Sequence, residues 1–191
     1  MKIQVGVMGS AGGSIPKHAR QKAYELGRAI AGHDCVLVTG ACPGLPYEAV
    51  RGCRQSGGMI VGISPALNLH EHITRYRSPY QEFDVLIYTG DGLMGREVTG
   101  IRSCDVVILI GGRSGTLGEF SIAYDEGKLI GVLEGTGGVA DHVGDIVRIV
   151  AKKTGAALIA DSDPQQLMTR LLRSYRARSR RPAAKVPREE G

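Results

Sequence analysis

The chain has 191 residues, of which 42% are hydrophobic and 5% aromatic, and its formal net charge is +5 at pH 7. This length suits one substantial hydrophobic core rather than two, so we expect a single domain over residues 1 to 175. No apolar stretch approaches the roughly 20 residues of a membrane-spanning helix, which argues against a membrane partner. The opening residues lack the pattern of a secretory signal, and we expect a cytoplasmic protein.

The positive charge is concentrated near the C-terminal end. Residues 176 to 191 contain six basic residues against two acidic ones, and they include Pro182 and Pro187. This composition is typical of a disordered, solubilising tail. A nucleic-acid-binding arm is the alternative, but no aromatic residue is interleaved with these arginines to stack on bases. We therefore predict a basic tail over 176 to 191 and no nucleic-acid partner.

Short apolar runs alternate with longer stretches of helical periodicity, which is the pattern of repeated βα units. The predicted strands, in chain order, are 3–8, 35–39, 59–63, 85–88, 106–110, 129–133 and 157–159. The predicted helices are 16–31, 45–55, 93–103, 116–126, 142–153 and 164–176. Several strands are apolar on both faces, as in a buried parallel sheet. The fold class predicted is a doubly wound, Rossmann-like α/β sheet of about seven strands, with helices on both faces.

The segment 64–81 follows neither period and contains two prolines, so it is predicted to be a long loop of the kind that forms lids or binding loops. It carries His70 and His72, whose spacing suggests a metal site. No third ligand stands at a recognisable distance, and exposed loop histidines are the preferred interpretation; we expect no metal.

Three glycine-rich turns follow predicted strands at the same, carboxyl-terminal edge of the sheet, where open α/β sheets bind their ligands. They are 9–13, 40–44 and 111–116. Glycine permits close approach of the backbone, and the free N–H groups at the start of the next helix attract an anion, most often a phosphate. The residues predicted to bind phosphate or nucleotide are Gly9, Ser10, Gly40, Gly44, Gly111, Gly112, Arg113, Ser114, Gly115 and Thr116.

The third turn is the most informative, because Ser114 and Thr116 add hydroxyl donors and Glu119 follows closely. A plain βα turn with a helix cap is the alternative interpretation. The turn is not a P-loop, since no Lys-Ser or Lys-Thr pair follows, and the first turn does not have the GxGxxG pattern of a dinucleotide site. Cys42 lies in the second turn, but no base is predicted beside it to make it a nucleophile.

The segment Ile110-Gly-Gly-Arg-Ser-Gly-Thr-Leu-Gly-Glu119 resembles the PGGxGTxxE signature of the LOG family, once described as lysine decarboxylases. Upstream, Met94-Gly95-Arg96 resembles that family's arginine-bearing helix. The resemblance covers roughly residues 3 to 135. LOG enzymes hydrolyse the N-glycosidic bond of nucleoside 5′-monophosphates. By resemblance, Arg96 and Glu119 form the catalytic pair, no cofactor is required, and the ligand is AMP-like.

The sequence departs from the LOG pattern at several positions. Ile110 replaces the leading proline, Glu97 replaces the lysine that usually follows the arginine, and the second turn contains two prolines. These departures resemble a sister group of the same superfamily, which includes molybdenum cofactor carriers. The resemblance thus leaves two functions open, hydrolysis of a purine nucleoside monophosphate or non-catalytic carriage of a nucleotide or molybdopterin-type cofactor.

Three further expectations concern individual elements. Asp91, before the predicted helix 93–103, is expected either to contact a ribose hydroxyl or to cap that helix. Relatives in the LOG family are dimers or larger, so the resemblance implies a homo-oligomer. The helix that contains Val98 and Ile101 is the expected interface element.

Overall fold

The computed structural model describes residues 1 to 179, and seven parallel strands form one sheet in the order β4-β3-β2-β1-β5-β6-β7. The strands are β1 (Gln4–Gly9), β2 (Val36–Thr39), β3 (Met59–Ser64), β4 (Val85–Tyr88), β5 (Val106–Ile110), β6 (Leu129–Leu133) and β7 (Ala157–Asp161). The fold class predicted from the sequence is confirmed. Because the strand order reverses between β1 and β5, the crevice for a ligand is expected at that point of the sheet.

Helices cover both faces of the sheet. They are α1 (Lys17–Gly32), α2 (Leu45–Gln55), α3 (Leu69–Thr74), α4 (Gly92–Arg102), α5 (Ser114–Asp125), α6 (Val143–Val150) and α7 (Pro164–Ser179), with a single 3₁₀ turn at Ala140–His142. One buried apolar cluster joins α1, α2 and α7 to the sheet, and a second joins α4, α5 and α6 to its opposite face. This arrangement brings the N-terminus of α5 and one side of α4 to the carboxyl edge of β1 and β2.

The segment predicted as a loop over 64–81 contains the short helix α3, which has only six residues and therefore showed no helical period in the sequence. The side chain of Asn68 caps it by accepting the N–H of Glu71 at 3.0 Å. The prediction that both histidines are exposed is wrong for His72, which is fully buried, while His70 is exposed. The ring of His72 bonds the Ser64 hydroxyl at 2.8 Å and the Pro79 carbonyl at 3.0 Å. This histidine fastens the segment to β3.

The structure also differs from the sequence predictions at Ile101 on α4 and at the C-terminal end of α7. Ile101 is fully buried in the core on the α4 face, so it is not available as an interface residue. Helix α7 continues to Ser179, past the predicted end at Arg176, and Arg178 donates to the Gly127 carbonyl at 3.0 Å. The predicted tail from residue 180 onward lies outside the described residues, and the domain boundary at 175 stays a prediction. None of the helices described is both long and apolar enough to cross a membrane.

Candidate functional site

A cleft of about 470 Å³ opens at the carboxyl edge of the sheet, where the strand order reverses. The turns after β1, β2 and β5 form its walls together with α4. Nine of the twelve residues predicted for the site line it, namely Gly9, Ser10, Gly40, Arg96, Arg113, Ser114, Gly115, Thr116 and Glu119. The remaining three, Gly44, Gly111 and Gly112, do not line the cleft and shape the turns around it.

The backbone N–H groups of Gly111 and Gly112 are occupied within the protein. Gly111 donates to the Thr136 hydroxyl at 2.8 Å, and Gly112 donates to the Ser10 hydroxyl at 2.6 Å. Both glycines have left-handed backbone conformations, with φ of 61° and 108°. Their role is to set the shape of the turn, because neither amide is free to donate to an anion. Thr136, after β6, gave no signal in the sequence.

The first turn of α5 has three free amides instead. Helix α5 begins at Ser114, earlier than predicted, and its first internal bond runs from the Leu117 N–H to the Arg113 carbonyl at 3.0 Å. Within residues 1–179, the N–H groups of Ser114, Gly115 and Thr116 find no acceptor, and the side chain of Arg113 does not cap the helix. Free amides at the positive end of a helix dipole attract an anion, and the three residues that carry them line the cleft.

Gly40 and Gly44 support the site from the second turn. The guanidinium of Arg96 lies directly over Gly40, in the space that a Cβ atom would occupy. Gly44 has φ of 85°, and the next amide, that of Leu45, donates to the Ser10 carbonyl at 2.9 Å. The glycine at position 40 is therefore required by the arginine, and the one at position 44 joins the first turn to the second.

Arg96 reaches the floor of the cleft from α4 and is only 8% exposed. Its Nη1 donates to the carbonyls of Gly40 and Ile63, the latter at 3.1 Å. Its Nε is buried and has no hydrogen-bond partner within the described residues. A buried, unpartnered donor is costly, and such groups mark positions where a ligand or an ordered water completes the site.

Glu119 faces the same floor and is 8% exposed. The pKa of its carboxyl is raised to about 8, chiefly by burial and to a smaller extent by nearby Glu97, against the opposing charge of Arg96. At neutral pH the Glu119 carboxyl therefore carries a proton for most of the time. In this protonated form the group donates or accepts hydrogen bonds, and only a minor, ionised fraction is available as a base.

Glu97 lines the cleft, although it was not among the site residues predicted from the sequence. The sequence marked it only as a departure from the LOG pattern, but its carboxyl is buried in the cleft, 7% exposed. The carboxyl packs against α5 at Gly118, where there is no side chain. A Cβ atom on Gly118 would stand only 2.9 Å from Glu97 Oε2, so a larger residue there would crowd the carboxyl. Burial raises the pKa of Glu97 as well. Arg96, Glu97, Gly100 and Ile101 share the buried side of α4. Because two of them are charged, hydrophobic periodicity gave no signal for that face in the sequence.

Cys42, Asp91 and two apolar residues of α4 differ in how they relate to the cleft. Cys42 lines the cleft, but burial raises the pKa of its thiol, which disfavours the nucleophilic thiolate. Asp91 precedes α4 yet makes no side-chain cap and does not line the cleft. Leu93 and Met94, which were not predicted, form an apolar rim and are 58% and 66% exposed. Residues 1–179 hold no group of three or more His, Cys, Asp or Glu side chains arranged to bind a metal ion.

The model of the SLOG cluster4 family matches residues 2–168. The chain belongs to the SLOG cluster4 family. A curated relative from Archaeoglobus fulgidus, an uncharacterised protein, is 32% identical over 133 residues, which is 69% of this chain and 80% of the relative. The LOG-type resemblance seen in the sequence is therefore confirmed at the level of the superfamily.

Solved structures similar to this SLOG cluster4 protein include the structural-genomics target TM1055, with a TM-score of 0.78, 27% identity, and coverage of 91% of this chain and 99% of that one. The molybdenum cofactor binding protein of Rippkaea orientalis has a TM-score of 0.74 and 28% identity, with coverage of 91% and 97%. The molybdenum cofactor carrier protein of Chlamydomonas reinhardtii has a TM-score of 0.74 and 25% identity, with coverage of 92% and 99%.

Proposed function

We propose that this SLOG cluster4 protein binds a small phosphorylated cofactor of nucleotide or pterin type in the cleft and carries it without cleaving it. The observation that supports this most directly is the first turn of α5, where three free amides meet a cleft with a buried arginine at its floor. Two of the similar structures are described as binding or carrying molybdenum cofactor, which favours a molybdopterin-type ligand.

In this proposal the phosphate accepts hydrogen bonds from the amides of Ser114, Gly115 and Thr116. Arg113 lines the same cleft, and its guanidinium, which lies beside Gly12 and Gly13 of the first turn, adds positive charge near the site. The body of the ligand extends over the apolar rim of Leu93 and Met94 toward the buried carboxyls. Gly111 and Gly112 hold the turn in shape but do not touch the phosphate.

Carriage is favoured over hydrolysis by the state of Glu119. Cleavage of a glycosidic bond needs a carboxylate that stabilises positive charge on the ribose and orients water. A carboxyl whose pKa is raised to about 8 supplies that charge poorly at neutral pH. Glu97, in place of the usual lysine, adds a second buried carboxyl and removes a cation from the site.

Hydrolysis of a purine nucleoside monophosphate is the second candidate function. It is favoured by Arg96 and Glu119, which match the catalytic pair of the LOG signature and line one cleft. The two candidates predict different products from the same protein.

The deciding experiment incubates the protein with AMP, GMP and a pterin phosphate, and it measures both the melting temperature and the release of free base by chromatography. Carriage predicts that at least one ligand raises the melting temperature and that no base is released. Release of base that the Glu119→Ala substitution abolishes would establish hydrolysis. Absence of any shift with all three ligands, and of any release, would contradict both functions.

A homo-oligomer remains a proposal of its own. Val85 and Ile87 on the edge strand β4 are 41% and 45% exposed, and Met94 on α4 is exposed as well. An apolar surface on an edge strand and its neighbouring helix is a frequent subunit interface. Light scattering coupled to gel filtration is expected to give at least twice the mass of one chain, 20.3 kDa.

A further inference from the structure

Three polar groups at the floor of the cleft lack partners within the described residues. The carboxyls of Glu97 and Glu119 make no hydrogen bond to another described residue, although the two residues are only 7% and 8% exposed. The third group is Nε of Arg96, a fully enclosed donor on a side chain that is more than nine-tenths buried. The cluster therefore offers one buried donor and two carboxyls to whatever occupies the cleft, and the Glu119 carboxyl, protonated for most of the time at neutral pH, can donate as well as accept.

Arg96, Glu97 and Glu119 also line a small cavity of about 10 Å³ beside the cleft, together with Met8, Gly40, Ile63 and Gly100. The surface of this cavity is mostly apolar, and its volume allows at most one water oxygen or one hydroxyl group. Because Arg96 Nε is a buried donor without a partner, an oxygen that accepts its hydrogen bond would complete the floor of the cleft.

The position of the cluster along α5 determines which part of a ligand it meets. The helix rises about 1.5 Å per residue, so Glu119 lies roughly 7.5 Å along the axis from Ser114. The carboxyl of Glu97 lies between them, beside Gly118 and near Gly115, where a Cβ atom would stand 3.5 Å from Glu97 Oε1. If a phosphate binds at the first turn of α5, the Glu97 carboxyl is therefore close enough to meet the sugar attached to that phosphate, whereas a ring farther along the ligand would lie beyond it.

We propose that Glu97 is a specificity-determining residue that accepts hydrogen bonds from the vicinal hydroxyls of a ribose 5-phosphate unit. A diol matches the cluster because its O–H groups donate to carboxyl oxygens while one of its oxygens accepts from Arg96 Nε. The edge of a base or a pterin also presents donors beside acceptors, so the sugar is favoured by the position of the Glu97 carboxyl near Gly115, next to the proposed phosphate site. The inference rests on the proposed phosphate site and selects the nucleotide type from the two ligand types proposed for it, since a molybdopterin phosphate carries no ribose. It assigns a role to the residue that departs from the LOG pattern.

The test compares ribose 5-phosphate with 2-deoxyribose 5-phosphate by calorimetric titration. We expect the wild-type protein to bind ribose 5-phosphate about tenfold more tightly, because a hydrogen bond to a charged group is lost in the deoxy sugar. The Glu97→Met variant keeps the length of the side chain and removes its acceptors, and we expect it to bind both sugars alike. The Glu97→Gln variant, which keeps one acceptor, is expected to fall between them.

The matched control is Glu25→Gln on α1, a position that does not line the cleft; it is expected to keep the full preference for ribose. The ratio of the two affinities is the readout, since a purely structural defect weakens both sugars together. Equal binding of both sugars by the wild type, or a preference that survives in Glu97→Met, overturns this inference and leaves the phosphate site intact. Binding of a pterin phosphate but of neither sugar phosphate overturns it as well. Failure of every phosphorylated probe to bind instead contradicts the proposed function itself.

Discussion

The hydroxyl of Ser10 accepts the N–H of Gly112 at 2.6 Å and thereby ties the turn after β1 to the turn after β5. Replacement of Ser10 by Ala leaves that amide without its partner. We expect the Ser10→Ala substitution to lower the free energy of unfolding by about 1 to 3 kcal/mol and to weaken phosphate binding, because the turn loses its fixed shape. Denaturant unfolding measures the first effect. Ser14→Ala, at an exposed position of the same turn, is the control and is expected to stay within about 0.5 kcal/mol of the wild type.

The second prediction concerns the close contact between the Arg96 guanidinium and the backbone of Gly40. A methyl group at position 40 overlaps the guanidinium, so the Gly40→Ala substitution forces Arg96 away from the carbonyls of Gly40 and Ile63. We expect ligand affinity to fall at least about tenfold, measured by calorimetric titration. Gly32→Ala, at the end of α1 where a Cβ atom meets nothing within 4 Å, should leave affinity unchanged. Full affinity in Gly40→Ala would mean that the arginine does not contribute to binding.

The fold could be predicted further than the site. Each of the seven strands is a short apolar run, so local composition alone located them, and the glycines between strand and helix marked the edge that binds. The helix α3 was missed because it spans only Leu69–Thr74, too short for a periodic signal. The partners of His72 and Gly111 lie in elements that come together only in the folded chain, and no local pattern reports such contacts.

His72 allows a direct comparison with a neighbour of the same type. It is fully buried and both ring nitrogens are hydrogen-bonded, whereas His70 is exposed. We expect His72→Ala to cost about 2 to 4 kcal/mol of stability, from lost packing and from the Ser64 hydroxyl left without that partner. His70→Ala should change stability by less than about 0.5 kcal/mol. Equal effects of the two substitutions in chemical denaturation would contradict the burial of His72.

The raised pKa of Glu119 predicts how stability depends on pH. Between its ordinary pKa of 4.5 and the folded value of about 8, the folded protein retains a proton that the unfolded chain releases. Stability is therefore complete below pH 4.5 and declines as the pH rises through that window. We expect the Glu119→Gln variant to lose less stability than the wild type from pH 5 to pH 8, by on the order of 3 kcal/mol. Some slope should remain, since burial raises the pKa of Glu97 too. Parallel curves for the two proteins would show that Glu119 ionises normally.

We propose that phosphate binds to the first turn of α5 and not to the two glycines before it. Titration of isotopically labelled protein with ribose 5-phosphate, followed by amide resonances in NMR, tests it directly, with ribose as the phosphate-free control. We predict that the amide resonances of Ser114, Gly115 and Thr116 shift downfield with ribose 5-phosphate alone, while those of Gly111 and Gly112, already bonded to hydroxyls, move little. Shifts of equal size with ribose, or shifts confined to the two glycines, would contradict the claim.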